Sequence, residues 1–398
     1  MCGIAGFCNF KEDFEENTDY WNFRLEKMRA VLAHRGNDAR GRFLKKHIGL
    51  SHSRLAIRDI LCGDQPMTRT HNGYEYTICY NGEIYNTDEL IPELSENGFV
   101  CSTTSDTEVI LYAYIHWGAD FVNRLNGIFA FAIWDAAKSR LLLYRDRVGV
   151  KPLFYAIRGD SLVFGSEPKA CFAHPAVNLS LTNRACRSFL LSGLHTRAGF
   201  PCLRICLRFC RGHFMIYSRD GLHDETYWEL TSREHTESYR DTVAHTRFLW
   251  RSAIKRQMVS DVPVCTFLSG GIDSSIVTAI AANYMNTRGK TLNTFSFDFK
   301  DNDRYFKANA FQPERDLPYV NRMLEEYETA HSYLECDENS LFKALFAAVD
   351  AKDMPGMTDV DSSLLYFCSL VSRKNKVALT GECADEIFGG YPWFYRKE

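Results

Sequence analysis

The chain has 398 residues, of which 45% are hydrophobic and 14% aromatic, and this is enough to form the cores of two domains. Its formal net charge of −3 argues against a nucleic-acid partner and a membrane-surface partner, and no apolar run reaches the length of a membrane span. The first residues lack the basic and apolar regions of a signal peptide, so we expect a cytoplasmic protein whose 14 cysteines are reduced thiols.

The N-terminus itself predicts a nucleophile. Cys2 directly follows the initiator Met1, and the small residues Gly3, Ala5 and Gly6 come after it. Removal of Met1 would leave one residue that carries both a thiol and an α-amine, whose reference pKa of about 7.7–8.0 suits a general base near neutral pH. A Met-Cys start also arises by chance, so the pair needs support from the rest of the chain.

The first half of the chain predicts many short strands and two helices. One helix begins near Tyr20 and ends at the His-Arg-Gly of residues 34–36, and the other covers residues 109–117 with Ser105 or Asp106 as its N-cap. The alternating and apolar patterns predict strands over 51–59, 75–80, 129–134, 140–145, 162–166 and 214–217, the last of which ends the domain. Such a set of elements favours a layered sandwich of sheets and helices.

Five polar groups in this half suit an amide hydrolase. Asn81 and Gly82 can supply a side-chain amide and a backbone N–H to a developing oxyanion. Arg54 can bind the carboxylate of an amino-acid substrate as a two-pronged donor, and Asp106 with Glu83 can bind its ammonium. Each has a local alternative, since Asn81-Gly82 suits a hairpin turn, Asp106 a helix cap and Arg54 a surface ion pair.

The segments MCGIAG, HRG, SRLAI, NGEIYN, SDTEVI, RDRVGVKPLFY and GSEPKA resemble the class II glutamine amidotransferase domain from Cys2 to about Ala173. The resemblance implies an N-terminal-nucleophile αββα sandwich, with Cys2 as the nucleophile and Asn81 and Gly82 as the oxyanion hole. The glutamine-binding residues that it implies are Arg54, Leu55, Ala56, Ile57, Arg58, Asn81, Gly82, Glu83 and Asp106. One departure is Asn37, where this family usually has proline; it should change a turn and leave the chemistry intact.

The junction at residues 195–219 matches that family poorly. Cys202, Cys206 and Cys210 are spaced by four, which suggests a metal triad, but scattered buried thiols are the favoured interpretation because no second ligand pair follows. The arginines of this segment alternate with apolar residues, which favours a strand with one solvated face over a nucleic-acid patch. We predict a linker at residues 226–238, a first domain over 2–225 and a second over 239–398.

The second half contains a strand, a glycine turn and a helix in succession. An amphipathic helix over 239–258 leads into an apolar strand over 262–268, a Ser-Gly-Gly turn over 269–271 and a helix over 276–285. This order directs backbone N–H groups and a positive helix end at one point, where a phosphate would bind, although an ordinary glycine turn without ligand is the alternative. No Gly-Lys-Ser/Thr follows, so the turn is not a Walker A loop; its hydroxyls and Asp273 suit pyrophosphate and magnesium.

A second glycine turn follows a later strand. Strands are predicted over 292–299 and 376–379, with helices over 317–326 and 340–349 between them and a turn at 380–386. In a parallel sheet both turns would lie at the carboxyl ends of their strands, where Asp273 and Asp385 could share a Mg²⁺ ion. The alternative is that Asp385 and Glu386 only stabilise a helix N-terminus.

The segments SGGIDSS, SFDF and TGECADEIFGGY resemble the synthetase domain of glutamine-hydrolysing asparagine synthetases, a parallel-sheet ATP-pyrophosphatase fold of the adenine nucleotide α-hydrolase type. The resemblance implies that Glu382 lies near a β-aspartyl-adenylate. It also implies that ATP contacts Leu268, Ser269, Gly270, Gly271, Asp273, Ser274, Phe297, Thr380 and Gly381. Cys383 departs from the family's usual glycine. The family's domain continues past residues 389–391, so we expect an incomplete domain with apolar surface exposed.

Together the two halves predict an enzyme that uses glutamine, aspartate and ATP with Mg²⁺ to make asparagine, with a homodimer as a candidate assembly. One alternative is amidation of another carboxylate. The other is a chain that retains only glutaminase or regulatory function.

Overall fold

The computed structural model describes residues 1–178, 207–308, 314–353 and 357–394. Residues 195–206 of the predicted cysteine and arginine segment, with Cys202 and Cys206, therefore lie outside the described residues. The chain divides into two compact units, Met1–Arg233 and Glu234–Glu398.

The first unit contains two antiparallel six-stranded sheets. The first has the strand order β10-β8-β9-β1-β3-β2 and the second has the order β12-β11-β7-β6-β5-β4. Its strands are β1 (Gly3–Asn9), β2 (Ala39–Lys45), β3 (Ile48–Arg54), β4 (Met67–His71), β5 (Tyr74–Ile84), β6 (Gly127–Asp135), β7 (Arg140–Arg145), β8 (Phe154–Arg158), β9 (Ser161–Gly165), β10 (Leu207–Arg208), β11 (His213–Ser218) and β12 (Gly221–Thr226). Its helices are α1 (Thr18–Ala30), α2 (Thr87–Glu96), α3 (Asp106–Trp117) and α4 (Pro168–Phe172).

The two sheets pack face to face with helices on both outer sides. In β1, Ile4 and Cys8 belong to the core between the sheets, whereas Ala5 and Phe7 belong to the core beneath α1 and α4. This alternation follows from the two-residue period of a strand, since both faces of β1 are covered. The helices α2 and α3 close the far side of the second sheet. The predicted αββα sandwich is confirmed.

Three local predictions in this unit are wrong. The strand predicted over 51–59 ends at Arg54, because the next two N–H groups bond to the Cys2 sulfur and to the Asp38 carboxylate instead of to a strand. The hairpin-turn alternative for Asn81 fails because this residue lies inside β5, opposite Ala130. The strand after Gly212 is not the last of the unit, since β12 follows it.

The second unit is built on a four-stranded parallel sheet with the order β15-β14-β13-β16. The strands are β13 (Val264–Phe267), β14 (Leu292–Phe299), β15 (Thr329–Cys336) and β16 (Val377–Leu379). The helices are α5 (Tyr239–Gln257), α6 (Ile272–Asn286), α7 (Asn302–Tyr305), α8 (Leu317–Glu326), α9 (Glu338–Lys352), α10 (Thr358–Val371) and α11 (Ala384–Phe388). The adjacent Val264 and Cys265 enter different cores, so both faces of the sheet are packed.

Several apolar side chains of this unit lie at the surface. The helix α5 has no buried residue, and Phe248 on it is 66% exposed. On α11, Ile387 and Phe388 are also exposed. None of the described helices is long and apolar enough to cross a membrane.

The cysteines that the structure describes are all free thiols. They are Cys2, Cys8, Cys62, Cys79, Cys101, Cys171, Cys210, Cys265, Cys336, Cys368 and Cys383.

Candidate functional site

The Cys2 thiol lies where β1 begins, beside the end of β3. Its sulfur accepts a hydrogen bond from the Leu55 N–H at 3.4 Å and lies 3.6 Å from the Leu55 carbonyl oxygen. Burial raises the pKa of the Cys2 thiol, and the Leu55 hydrogen bond and the nearby α-amine offset only part of that effect. A protonated thiol needs a base before it can attack a carbonyl.

The predicted base is an α-amine at the N-terminus. Burial lowers the pKa of the Met1 α-amine to about 6, so at neutral pH that amine is largely unprotonated. In the described chain this amine belongs to Met1, whose side chain is half-exposed. The predicted nucleophile requires that Met1 be removed, so that the amine becomes that of Cys2 itself.

The Asn81 side chain offers a free hydrogen-bond donor. Its Nδ2 atom is buried and has no partner in the described part of the chain, although buried donors are nearly always paired. The preceding Tyr80 carbonyl lies 3.1 Å from His52 Nε2, which ties β5 to the β3 strand that faces the start of β1. At Gly82 a Cβ atom would overlap the Ile128 carbonyl oxygen, so only glycine fits. The predicted oxyanion hole stays a prediction, and the orphaned amide is consistent with it.

Asp106 is buried, and Glu83 on β5 is partly buried. Asp106 Oδ2 accepts hydrogen bonds from the Tyr80 hydroxyl and the Ile84 N–H, both at 2.9 Å, and lies 3.8 Å from the Arg58 guanidinium. Burial raises the pKa of Asp106. Burial, with a contribution from Asp106, also raises the pKa of Glu83 to about 9. A positively charged ligand would offset the free-energy cost of holding negative charge at these buried positions, so the two carboxyl groups suit an ammonium group.

Arg54 is already engaged. Its guanidinium donates to the carbonyl oxygens of Arg58, Asp59 and Ile60 and forms an ion pair of 2.9 Å with Asp64. These bonds fix the loop that follows β3. A role of Arg54 as the ligand of a substrate carboxylate therefore stays a prediction, and it requires some of these bonds to be exchanged.

A buried ion-pair group behind Cys2 was not assigned a role from the sequence. Arg35 donates to the Cys2 carbonyl at 2.9 Å and to Glu167 at 2.7 Å, and His34 lies 3.0 Å from the same carboxylate. Burial opposes ionisation of Glu167, but the hydrogen bonds from His34 and Arg35 outweigh it and lower the pKa to about 2. The HRG and GSEPKA segments marked these residues, but only the fold shows that they meet.

In the second unit, the Ser-Gly-Gly turn after β13 is held by its own hydroxyl groups. The Ser269 and Ser274 hydroxyls lie 3.0 Å apart, and Ser274 donates to the Gly271 carbonyl at 3.0 Å. Gly270 has a φ of +85°, and a Cβ atom there would lie 2.9 Å from the Asp316 carbonyl oxygen. Because this left-handed conformation and the close approach both exclude a side chain, the turn requires glycine. The Leu268 carbonyl before it accepts from Ser296 at 2.5 Å.

The second glycine turn meets the first. Strands β13 and β16 pair in parallel with Thr266 opposite Leu379, so their carboxyl ends lie side by side. A Cβ atom on Gly381 would overlap the Asp273 carboxylate, which shows how closely the two turns pack. A pocket of about 150 Å³ lies beside them, and its polar lining comes from Asp273, Thr380, Gly381 and Glu382.

The departure at Cys383 falls on a left-handed residue. Cys383 has φ 72° and ψ 5°, precedes α11, and makes no capping hydrogen bond with its side chain. Glycine adopts this conformation without strain, whereas a side chain does not. The departure from glycine at Cys383 therefore places a side chain on a left-handed residue.

The other residues predicted to bind the nucleotide or its metal are held by fewer contacts than the two glycine turns. Phe297 is half-buried and packs on Phe367, with ring centroids 5.2 Å apart. Asp385 is exposed, and no group of three or more His, Cys, Asp or Glu that could hold a metal occurs in the described ranges. A Mg²⁺ ion held by two carboxylates and by phosphate oxygens needs no such group, and the oxygen donors of Asp273 and Asp385 are of the type that it prefers.

Comparison with known proteins agrees with this division of the chain. A family model described as a glutamine amidotransferase domain matches residues 1–228, and one described as asparagine synthase matches residues 245–398. The chain is 46% identical to asparagine synthetase [glutamine-hydrolyzing] 3 of Bacillus subtilis, over 100% of this chain and 64% of that protein. It is 30% identical to a putative asparagine synthetase [glutamine-hydrolyzing] 2 of Methanocaldococcus jannaschii, over 98% of this chain and 76% of that protein.

The chain belongs to the glutamine-hydrolysing asparagine synthetase family. A second relative from B. subtilis, asparagine synthetase [glutamine-hydrolyzing] 1, is 30% identical over 98% of this chain and 59% of its own length. The chain thus spans about three fifths of the length of each of these two B. subtilis proteins. The predicted resemblance to this family is confirmed.

Proposed function

We propose that the chain makes asparagine from aspartate, with glutamine as the nitrogen donor and ATP as the activating substrate. The observation that carries this proposal is the close approach of Gly381 to Asp273, where an added Cβ atom would overlap the carboxylate, because it brings the two nucleotide-type turns together. The Cys2 site of the first unit supplies the ammonia. Family membership supports the same assignment.

In the first unit, the α-amine takes the proton of the Cys2 thiol as the sulfur attacks the side-chain carbonyl carbon of glutamine. Asn81 Nδ2 and the Gly82 N–H stabilise the oxyanion of the tetrahedral intermediate. The amine returns the proton to the departing nitrogen, so ammonia leaves and a γ-glutamyl thioester remains. Water then attacks the thioester carbon, which releases glutamate and restores the thiol.

In the second unit, the β-carboxylate of aspartate attacks the α-phosphorus of ATP and expels pyrophosphate. The Ser-Gly-Gly turn binds the phosphates through its N–H groups and hydroxyls, and Thr380 and Gly381 hold the nucleotide from the other turn. Asp273 and Asp385 would hold Mg²⁺, which when bound neutralises charge on the pyrophosphate. Glu382 lies beside the adenylate, from which ammonia displaces AMP to give asparagine.

The first half of the proposal is tested by glutamate release from glutamine. Cys2→Ala should lower the rate by on the order of 10³ or more, because it removes the nucleophile, while ammonium chloride should still support asparagine formation. Cys62→Ala, at an exposed thiol, serves as the control. Undiminished glutamate release by Cys2→Ala would falsify the assignment of the nucleophile.

The second half is tested by pyrophosphate release from ATP with a panel of carboxylic acids. We expect release that depends on aspartate and on Mg²⁺, and that Asp273→Asn abolishes. Release with another acid and not with aspartate would identify a different acceptor. A chain that hydrolyses glutamine but releases no pyrophosphate with any acid would retain only the glutaminase.

A cytoplasmic location and a homodimer belong to the same proposal. Light scattering of the purified chain measures the assembly, and a mass equal to that of one chain would contradict the homodimer.

A further inference from the structure

Tyr80 is bonded to its surroundings at three points. Its N–H donates to Gln65 Oε1 at 2.6 Å, its carbonyl lies 3.1 Å from His52 Nε2, and its hydroxyl lies 2.9 Å from Asp106 Oδ2. The next residue in the chain is Asn81. Tyr80 thus connects the strand that carries the proposed oxyanion donor with the carboxylate proposed to bind the substrate's ammonium.

The hydroxyl contact is a defined hydrogen bond in a dry environment. Tyr80 is 2% exposed and Asp106 is 4% exposed, so solvent cannot replace the bond if it is lost. Because a carboxylate only accepts, the phenol must donate. The Ile84 N–H makes the other short bond to the same oxygen, and the Arg58 guanidinium at 3.8 Å is too distant for one.

We propose that Tyr80 is a positioning residue for glutamine, whose hydroxyl holds the Asp106 carboxylate in the orientation that receives the substrate's α-ammonium. This inference rests on the proposed glutamine site. It adds a residue that touches neither the substrate nor the nucleophile and acts through Asp106.

The role predicts which kinetic constant changes. The ammonium contact exists in the bound substrate and in the transition state alike, so its loss raises KM and leaves kcat nearly unchanged. A hydrogen bond to a charged group accounts for roughly a tenfold change in binding. The main-chain bonds of Tyr80 are retained in Tyr80→Phe, so the neighbouring Asn81 should keep its place.

The experiment compares glutamine with glutaramate, the same amide without the α-amino group. Tyr80→Phe should raise the KM for glutamine roughly tenfold and leave kcat/KM for glutaramate unchanged, so that discrimination between the two substrates falls. The matched control is Tyr114→Phe, because the Tyr114 hydroxyl also contacts a buried carboxylate, that of Asp135 at 2.5 Å. The control should leave the discrimination at the wild-type value, with thermal unfolding measured for both variants.

An equal loss with both substrates would mean that Tyr80 only supports the core, and this would overturn the inference. Absence of glutamate release by the wild-type chain would instead refute the proposed function. If Tyr80→Phe does not fold, the substitution is made in an Asp106→Asn background, where no buried charge loses its donor. There Tyr80→Phe should cause no further loss of discrimination, and an additional loss would also overturn the inference.

Discussion

Replacement of Cys383 by glycine should stabilise the second unit. Cys383 has φ 72°, its side chain is exposed, and it makes no capping bond, so the substitution removes strain and no visible contact. Cysteine stands here where the family usually has glycine. The sign of the effect therefore depends on the backbone conformation alone.

The magnitude follows from two opposing terms. A Cβ atom in the left-handed region costs about 1–2 kcal/mol, which glycine recovers. Glycine also has more freedom in the unfolded chain, which costs about 0.5–1 kcal/mol. The expected net gain is about 0.5–1 kcal/mol. Cys383→Ala is the control, because alanine removes the sulfur but keeps the Cβ atom, and it should leave the free energy of unfolding nearly unchanged.

Hydrogen exchange followed by mass spectrometry can report on this unit separately from the first. Peptides that contain β13 and β16 should exchange roughly two- to fivefold more slowly in Cys383→Gly, since this factor corresponds to the expected free energy. Equal exchange in the glycine, alanine and wild-type chains would refute the reasoning, because it would show that the left-handed conformation carries no strain here.

Gly82→Ala should abolish glutaminase activity while the second unit still releases pyrophosphate. The added Cβ would overlap the Ile128 carbonyl oxygen and displace β5. Separate assays of glutamate release and of pyrophosphate release measure the two activities. Gly270→Ala should reverse that pattern and lower ATP binding about five- to thirtyfold, since the left-handed conformation alone costs about 1–2 kcal/mol. Glu167→Gln should lower the unfolding temperature at pH 7. Because the folded pKa of Glu167 is about 2, below its ordinary value, this difference should shrink as the pH falls below about 4 and vanish near 2.

Each of these has a matched control. Gly73→Ala and Gly98→Ala place alanine at left-handed positions where no atom lies within 4 Å of the added Cβ, so they should cost stability without changing either activity. Glu93→Gln removes an exposed ion pair with Arg124 and should shift the unfolding temperature little at any pH. If Glu167→Gln still lowers the unfolding temperature at pH 2, the loss of the ion pair is not the cause.

The sequence predicted the elements whose residue pattern is compatible with only one kind of secondary structure. The αββα layers and the parallel sheet were predictable, because many short strands with few helices favour a layered sandwich and the apolar run at Val264 is buried on both faces. The end of β3 at Arg54 was not predictable, since its pattern continues while its hydrogen bonds go to Cys2 and Asp38. Bonds between distant segments leave no local signal.

The same reason limits the prediction of the candidate site. The sequence indicated Asp106 and Asn81 as separate motifs, and the structure shows that Tyr80 joins them. Arg54 was predicted as a ligand from its charge, but its bonds to the loop after β3 depend on that loop's conformation. Charge and residue type suggest a role, whereas the partners are set by the fold.

The pairing of β13 with β16 has a consequence for the order in which the protein is made. Cys265 pairs with Ala378, which is synthesised over a hundred residues later, so the nucleotide turn after β13 cannot meet its counterpart until then. At about 5–20 residues per second this delay lasts roughly 5–20 s. During that time the residues of Met1–Arg233 have already left the ribosome. A nascent chain should therefore acquire glutaminase activity before it can bind ATP, and translation pauses between β14 and β16 should lengthen that interval.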